Sequence, residues 1–197
     1  MFRRLRLQFI TIASLAILFI LVFTVGIINT VRSFQTEQEI SKVLNTLTEN
    51  NGSFGKTKKI ETNQGHEIPS DSFRFFSVTL SGDKVVSQDT SHTSLIDDEE
   101  AISYALAASR MTNTLGTIRE KNINLSYQVS KVSKNKILVV FLDTTSYYNS
   151  SQALLSLSIL LSMFGFIFFV VIVSALSGIV IRPFIRNYEK QRRFITN

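Results

Sequence analysis

LQFITIASLAILFILVFTVGIINTV, Leu7 to Val31, runs 25 positions without a charge and is built largely from Ile, Leu, Val and Phe. A helix rises about 1.5 Å per residue, so this run exceeds the roughly 30 Å hydrocarbon core of a bilayer. A second uncharged stretch, Ala153 to Ile181, covers 29 positions. Both are long enough to span with length left for tilt or an interfacial end. Arg3, Arg4 and Arg6 resemble the basic start of a signal peptide. Such a peptide needs only ~7–15 apolar residues and a small-x-small exit, whereas this one leaves as IINTVRS, so an uncleaved anchor is expected.

Charge supplies the expected orientation. The chain up to Arg32 holds four basic residues and no acidic one, and from Arg182 it holds five basic residues and Glu189. Ser33 to Ser151 between them holds twelve basic and fourteen acidic residues. Lys/Arg-rich flanks stay in the cytoplasm, which predicts a multi-pass plasma-membrane protein with both termini inside and the middle outside. The expected division is a cytoplasmic start at 1–6, membrane helices at 7–31 and 153–181, an extracytoplasmic domain at 32–152, and a cytoplasmic juxtamembrane helix at 182–197. The net charge of +6 is then a topology signal. No base-stacking or phosphate-binding pattern accompanies it, so nucleic acid is not an expected partner, whereas the lipid bilayer is. The absence of cysteine excludes disulfides, Cys-zinc sites and thiol chemistry. At about 120 residues the outer segment is large enough to fold by ordinary core burial.

Past Val31 the helical spacing continues: Phe34, Ile40, Val43, Leu44 and Leu47 recur at three- and four-residue steps until Asn50-Asn51-Gly52, a left-handed cap signal. Ser53 to Ser72 is polar and reads as a loop or weak edge strand. FRFFSVTLSGDKVVSQDTS, Phe73 to Ser91, reads as a hairpin turning at Gly82-Asp83. Phe73, Phe75, Ser77 and Thr79 take one face of it, and Arg74, Phe76, Val78 and Leu80 the other. A helix is expected from about Asp97, with Ile102, Ala105, Leu106 and Ser109 as its packing stripe and Gly116 closing it. Two further strands flank Lys134-Asn135-Lys136, the second of which, Ile137 to Leu142, is continuously apolar and so expected at a sheet centre. The fold class is therefore a membrane protein with an α+β outer domain, one small antiparallel sheet with helices packed on it. By order of elements it is analogous to a PAS-like or Cache-like sensor module.

The polar constellations have mostly structural readings. Asp97-Asp98-Glu99-Glu100 crowds oxygen ligands, but carboxylates at a helix start cap orphan amides and complement the dipole. His66 and His92 lie in polar loops with no third ligand, and no metal site is expected. No GxSxG, HExxH, P-loop or GxGxxG occurs, and nothing organises Ser87, Asp89 and His92 as a triad, so no catalytic residue is assigned. Arg74, Phe76, Arg110 and Tyr127 are the candidates for lining a ligand pocket, the arginines for meeting an anion. Tyr147 and Tyr148 are expected as an interfacial belt beside the second span.

After the second span the chain reads SGIVIRPFIRNYEKQRRFITN. Pro183 lacks an amide donor and bends or restarts a helix. Ile181, Phe184, Tyr188, Gln191 and Ile195 step by three and four, a short heptad seam with the basic residues mostly off it. Pro183-Phe184 followed by Glu189-Lys190-Gln191 and Phe194-Ile195-Thr196-Asn197 resembles the juxtamembrane helix of bacterial sensor histidine kinases, and RFFSVTL and VFLD resemble the extracytoplasmic sensor of one kinase group. The resemblance implies the input half of a two-component system: a homodimer that senses an unidentified external stimulus and transmits it through Pro183, Phe184, Tyr188, Gln191 and Ile195. In that family the pattern leads into a dimerisation helix carrying a phosphoacceptor histidine, which these residues do not include. ATP, Mg²⁺ and a response regulator are thus implied only for a kinase part; no cofactor or autophosphorylation is expected of these residues alone. The competing expectation is a stand-alone two-span protein whose outer domain binds a ligand or partner and has no kinase output.

Overall fold

The computed structural model describes the backbone of residues 2–62, 65–120 and 123–195, with side chains except at residues 2, 3, 5 and 178–195. The chain divides into two units, one made of its two ends (up to Val31 and from Gln152) and one of Arg32–Ser151. Two long helices, α1 (Phe2–Glu49) and α3 (Thr145–Ile195), each contribute to both.

In the first unit each helix is long and apolar enough to cross a membrane, with windows of mean hydropathy 2.7 and 2.8. Their apolar side chains face outward: Phe19 is 71% exposed and Leu161 72%. An exposed apolar surface of that extent requires lipid or other protein against it. Arg6 Nη2 donates to the Ser174 carbonyl at 2.7 Å, so the basic start of α1 and the late part of α3 lie at the same end of this unit.

The second unit is built on a five-stranded antiparallel sheet in the order β4-β3-β7-β6-β5: β3 (Phe75–Ser81), β4 (Lys84–Asp89), β5 (Leu115–Glu120), β6 (Ile123–Ser133) and β7 (Lys136–Asp143). Helix α2 (Asp98–Ser109) joins the β3–β4 hairpin to the β5–β6–β7 meander, and β7 returns to pair with β3. Between α1 and the sheet, β1 (Lys59–Glu61) and β2 (Glu67–Pro69) form a small separate ribbon. Both faces of the central sheet are covered, which is why β3 and β7 read as apolar runs. On one face Ile40, Val43, Leu44 and Leu47 of α1 pack with Phe75, Leu138, Val140 and Leu142. On the other Ala101, Ala105 and Ala108 of α2 pack with Phe76, Val78, Tyr127, Val139 and Phe141. The hairpin, its two faces and the central place of β7 match the sequence expectation.

Helix α1 ends where the Asn-Asn-Gly signal stands. Asn51 and Gly52 have φ of 55° and 88°, and the Gly52 amide donates to the Leu47 carbonyl at 2.7 Å, a left-handed C-terminal cap. Asp97 caps α2 as expected, its Oδ1 accepting from the Glu100 amide at 2.8 Å.

Two expectations need correction. The buried stripe of α2 is Ala101, Ala105 and Ala108, with Ile102, Leu106 and Ser109 only half-buried, because small side chains let the helix approach the aromatic sheet face. Gly116 does not close α2, which ends at Ser109; it lies in β5, a strand the sequence reading omits. A Cβ there would sit 2.5 Å from Tyr127 Oη, so glycine makes room for a ring. The stretch Ser53–Ser72, expected as loop or weak edge strand, holds the short paired strands β1 and β2. Tyr147 and Tyr148 fasten the first turn of α3 to the domain: Tyr147 packs against the α1-side core, and the Arg119 guanidinium lies 5.1 Å above the Tyr148 ring.

Candidate functional site

The passage from β7 into α3 has no linker. Asp143 ends the strand and Thr145 begins the helix, with Thr144 buried between them. Thr145 N–H donates to Asp143 Oδ1 at 2.9 Å, supplying a partner for an amide that a helix start leaves orphaned, and Tyr148 N–H to the Thr144 carbonyl at 3.1 Å is the first bond of the helix itself. Neighbouring β6 holds the junction from the side. The Thr144 amide and hydroxyl both donate to the Asn124 carbonyl, at 2.8 and 3.0 Å, the Asn124 amide donates to Thr145 Oγ1 at 2.9 Å, and the Ser126 and Thr144 hydroxyls lie 3.1 Å apart. The sequence reading missed this cluster; the Asp-Thr-Thr after an apolar strand is the capping signal that could have found it.

Helix α1 is equally continuous. Its uncharged run passes without a break into the turns whose Ile40, Val43, Leu44 and Leu47 anchor the sheet. Opposite that core face runs an open cleft of about 580 Å³, lined by Phe34, Glu37, Ser41, Lys42, Asn45 and Glu49 among others. Asn45 Oδ1 there accepts from Gln128 Nε2 at 2.8 Å, and Lys42 Nζ donates to the Glu61 carbonyl at 2.5 Å.

The four candidate pocket residues take different positions. Phe76 and Tyr127 are buried in the α2-side core, where the Phe76 and Phe141 rings stack with centroids 4.5 Å apart and Tyr127 Oη donates to Met111 Sδ at 2.9 Å. Arg74 is exposed where β3 begins, and Arg110, exposed at the end of α2, pairs with Asp83 at 3.4 Å. Pro183, Phe184, Tyr188, Gln191 and Ile195 fall within the helical backbone of α3, while their side chains lie outside those described, as do Thr196 and Asn197 entirely. Among the described residues no three His, Cys, Asp or Glu side chains gather as metal ligands. His92 stacks on Phe75 with centroids 4.4 Å apart. Nearby, the Ser91 hydroxyl bonds the Asp89 carboxylate at 2.6 Å and holds its pKa below the ordinary value, against a smaller opposing effect of burial.

Tyr104 of α2 donates to the Glu120 carboxylate at the end of β5. That bond, then burial and the Glu120 and Glu100 charges, push the phenol up to about 12. A raised folded-state pKa means that the folded form holds the proton longer, so the stabilisation is complete below the ordinary tyrosine range near 10 and is lost as pH rises toward 12. Tyr104→Phe should therefore flatten the fall in stability between about pH 10 and 12. Denaturant titrations across that range check this, and an unchanged slope in the variant would refute the assignment.

Comparison with protein-family models, with curated proteins and with solved structures found no match to this chain.

Proposed function

We propose that this chain is the sensing and membrane-spanning input part of a two-component sensor histidine kinase, with residues 32–152 as an extracytoplasmic PAS-like domain and both termini in the cytoplasm. The observation that carries the reading is mechanical. The two apolar helices run without interruption into a two-sided sheet domain, α1 as one of its core layers and α3 directly from its central strand. A module joined only to bind a ligand does not need its anchors to be parts of its core. A signalling module does, because a stimulus acts by favouring one of two packings, and the difference must reach the far ends of the helices. The hairpin–helix–meander order and the basic flanks support the same reading.

In this proposal the chain works as a homodimer. Phe34, Gln38, Ser41 and Asn45 step by four, three and four along α1 on the side away from the core, the spacing of a two-helix seam. Glu37 and Lys42 flank it five residues apart, the separation at which flanking charges pair between parallel helices. ATP, Mg²⁺ and a response regulator belong to the kinase part of such a system.

The test joins the chain through its 182–197 helix to the dimerisation and ATP-binding parts of a histidine kinase. Pro183→Ala should change basal autophosphorylation by about fivefold or more, the lower end of a typical coupling free energy of ~1–3 kcal/mol. Asn45→Cys, in a chain otherwise without cysteine, should form a cross-linked dimer on oxidation. A chimera whose output ignores Pro183→Ala would favour a binding protein with no kinase output, and failure of the cysteine to cross-link would remove the α1 seam.

A further inference from the structure

Strand register gathers charges that are far apart in sequence. Leu80 pairs with Ile137, Ser81 with Lys84 and Ser133 with Lys136, so the β3–β4 and β6–β7 turns lie at the same end of the sheet. The Arg110–Asp83 contact puts the end of α2 there as well. Lys84, Arg110, Lys131, Lys134 and Lys136 are all exposed at this tip, with Asp83 as the carboxylate among them. The opposite end, where β7 passes into α3, has the reverse balance: Asp89, Asp97, Asp98, Glu99, Glu100, Glu120 and Asp143 against Arg74 and Arg119 among the described residues. A domain whose overall balance is acidic thus concentrates its excess cations at one end.

We propose that this tip is a binding surface for a linear phosphate-bearing polyanion. The two hairpins are two strand spacings apart, about 10 Å. That is close to the Debye length of ~8 Å at physiological ionic strength, so their fields overlap into one positive region facing solvent. Four of the five cations are lysines, compact point charges on flexible stems that meet phosphate oxygens without demanding a fixed bidentate geometry, which suits a flexible polymer. The one arginine is already engaged with Asp83. Supply from three separate segments, on long stems around two turns, fits recognition of repeated charge along a polymer more than enclosure of a single small anion. The inference goes beyond the signalling reading and does not need it, because binding is measured without any kinase output.

The experiment uses the full chain in nanodiscs of zwitterionic lipid. Short-chain inorganic polyphosphate is the probe, with poly-glutamate and anionic phosphatidylglycerol vesicles as separate arms. Polyphosphate should bind with an affinity that falls steeply with added salt. Lys131→Gln/Lys134→Gln/Lys136→Gln should weaken it at least tenfold and flatten the salt dependence, while Lys56→Gln/Lys58→Gln, a change in the loop before β1, should leave it within twofold. Equal binding by wild type and triple variant overturns the tip as the site. Poly-glutamate bound as tightly as polyphosphate overturns the phosphate assignment, and capture by vesicles without polyphosphate binding overturns it in favour of a lipid surface. Thermal unfolding of both variants, expected to match wild type, separates lost binding from lost fold.

Discussion

Phe141→Ala is expected to destabilise the sheet domain by about 3–5 kcal/mol, the range for removing a buried phenylalanine from a core that cannot collapse onto the space. Phe141 has no solvent exposure and sits on β7, the central strand. Its ring stacks on Phe76 at 4.5 Å and 7°, meets Tyr127 at 5.8 Å and approaches Tyr104 at 6.5 Å. One truncation therefore removes three aromatic contacts as well as the buried area, on a face where the facing α2 residues are alanines with no side chain to reach into the void. Domains of this size are stable by only about 5–15 kcal/mol, so much of the margin disappears. The melting temperature should fall by more than roughly 10 °C. Phe141→Leu, which conserves most of the volume, should cost distinctly less. Thermal and urea unfolding of the full chain followed by near-ultraviolet circular dichroism will measure both. A loss below about 1 kcal/mol in the alanine variant would mean that this aromatic stack does not form.

Gly52→Val carries two independent penalties. At φ 88° the backbone is in a region that a β-branched residue avoids, at a cost on the order of 1–3 kcal/mol. An added Cβ would also lie against the Ser77 hydroxyl and 2.6 Å from Ser77 Cβ, and such overpacking costs typically about 1–3 kcal/mol. The two should be separable. Gly52→Ala retains both in reduced form, and adding Ser77→Gly removes the collision while leaving the backbone strain. The double variant should therefore be less destabilised than the sum of the single changes, with a coupling of about 1 kcal/mol or more. Strict additivity would show that the end of α1 moves away from β3 instead of pressing on it.

The outer parts of the fold were legible wherever a local signal agreed with the tertiary result. The Asn-Asn-Gly cap, the Gly82-Asp83 hairpin turn, the acidic start of α2 and the apolar run of β7 each correspond to a structural event within a residue or two. Gly116 was misread because two physical demands select the same residue. A helix end needs glycine for its positive φ, while β5 needs it because the Tyr127 ring occupies the place of a side chain, and only the fold distinguishes the two. The α2 stripe was misplaced because sequence periodicity favours the larger Ile102 and Leu106, whereas close approach to stacked rings selects Ala101, Ala105 and Ala108. Phe76 and Tyr127 had the composition of a pocket wall and became core packing, which aromatic residues supply equally well. Neither the junction around Thr144 nor the basic tip could be read along the chain. Asn124 and Thr144 are twenty positions apart, and the tip draws on residues from Lys84 to Lys136.

The β4 edge of the sheet has a consequence for strand-to-strand aggregation. Strand β4 is exposed along most of its length, Val85 and Val86 included, and among the described residues it borders no strand beyond β3. A flat apolar edge of that kind invites a neighbouring molecule to add a strand, and repeated addition leads to fibrils. Here the register slips where Thr79 faces Ser87 and Leu80 faces Val85, leaving Val86 unpaired. The extra residue kinks and twists the strand at its most adhesive point, and Lys84 and Asp89 place a charge at each end. The irregularity and the two terminal charges together guard this edge, and a deletion that regularised the hairpin would trade a smoother ladder for self-association.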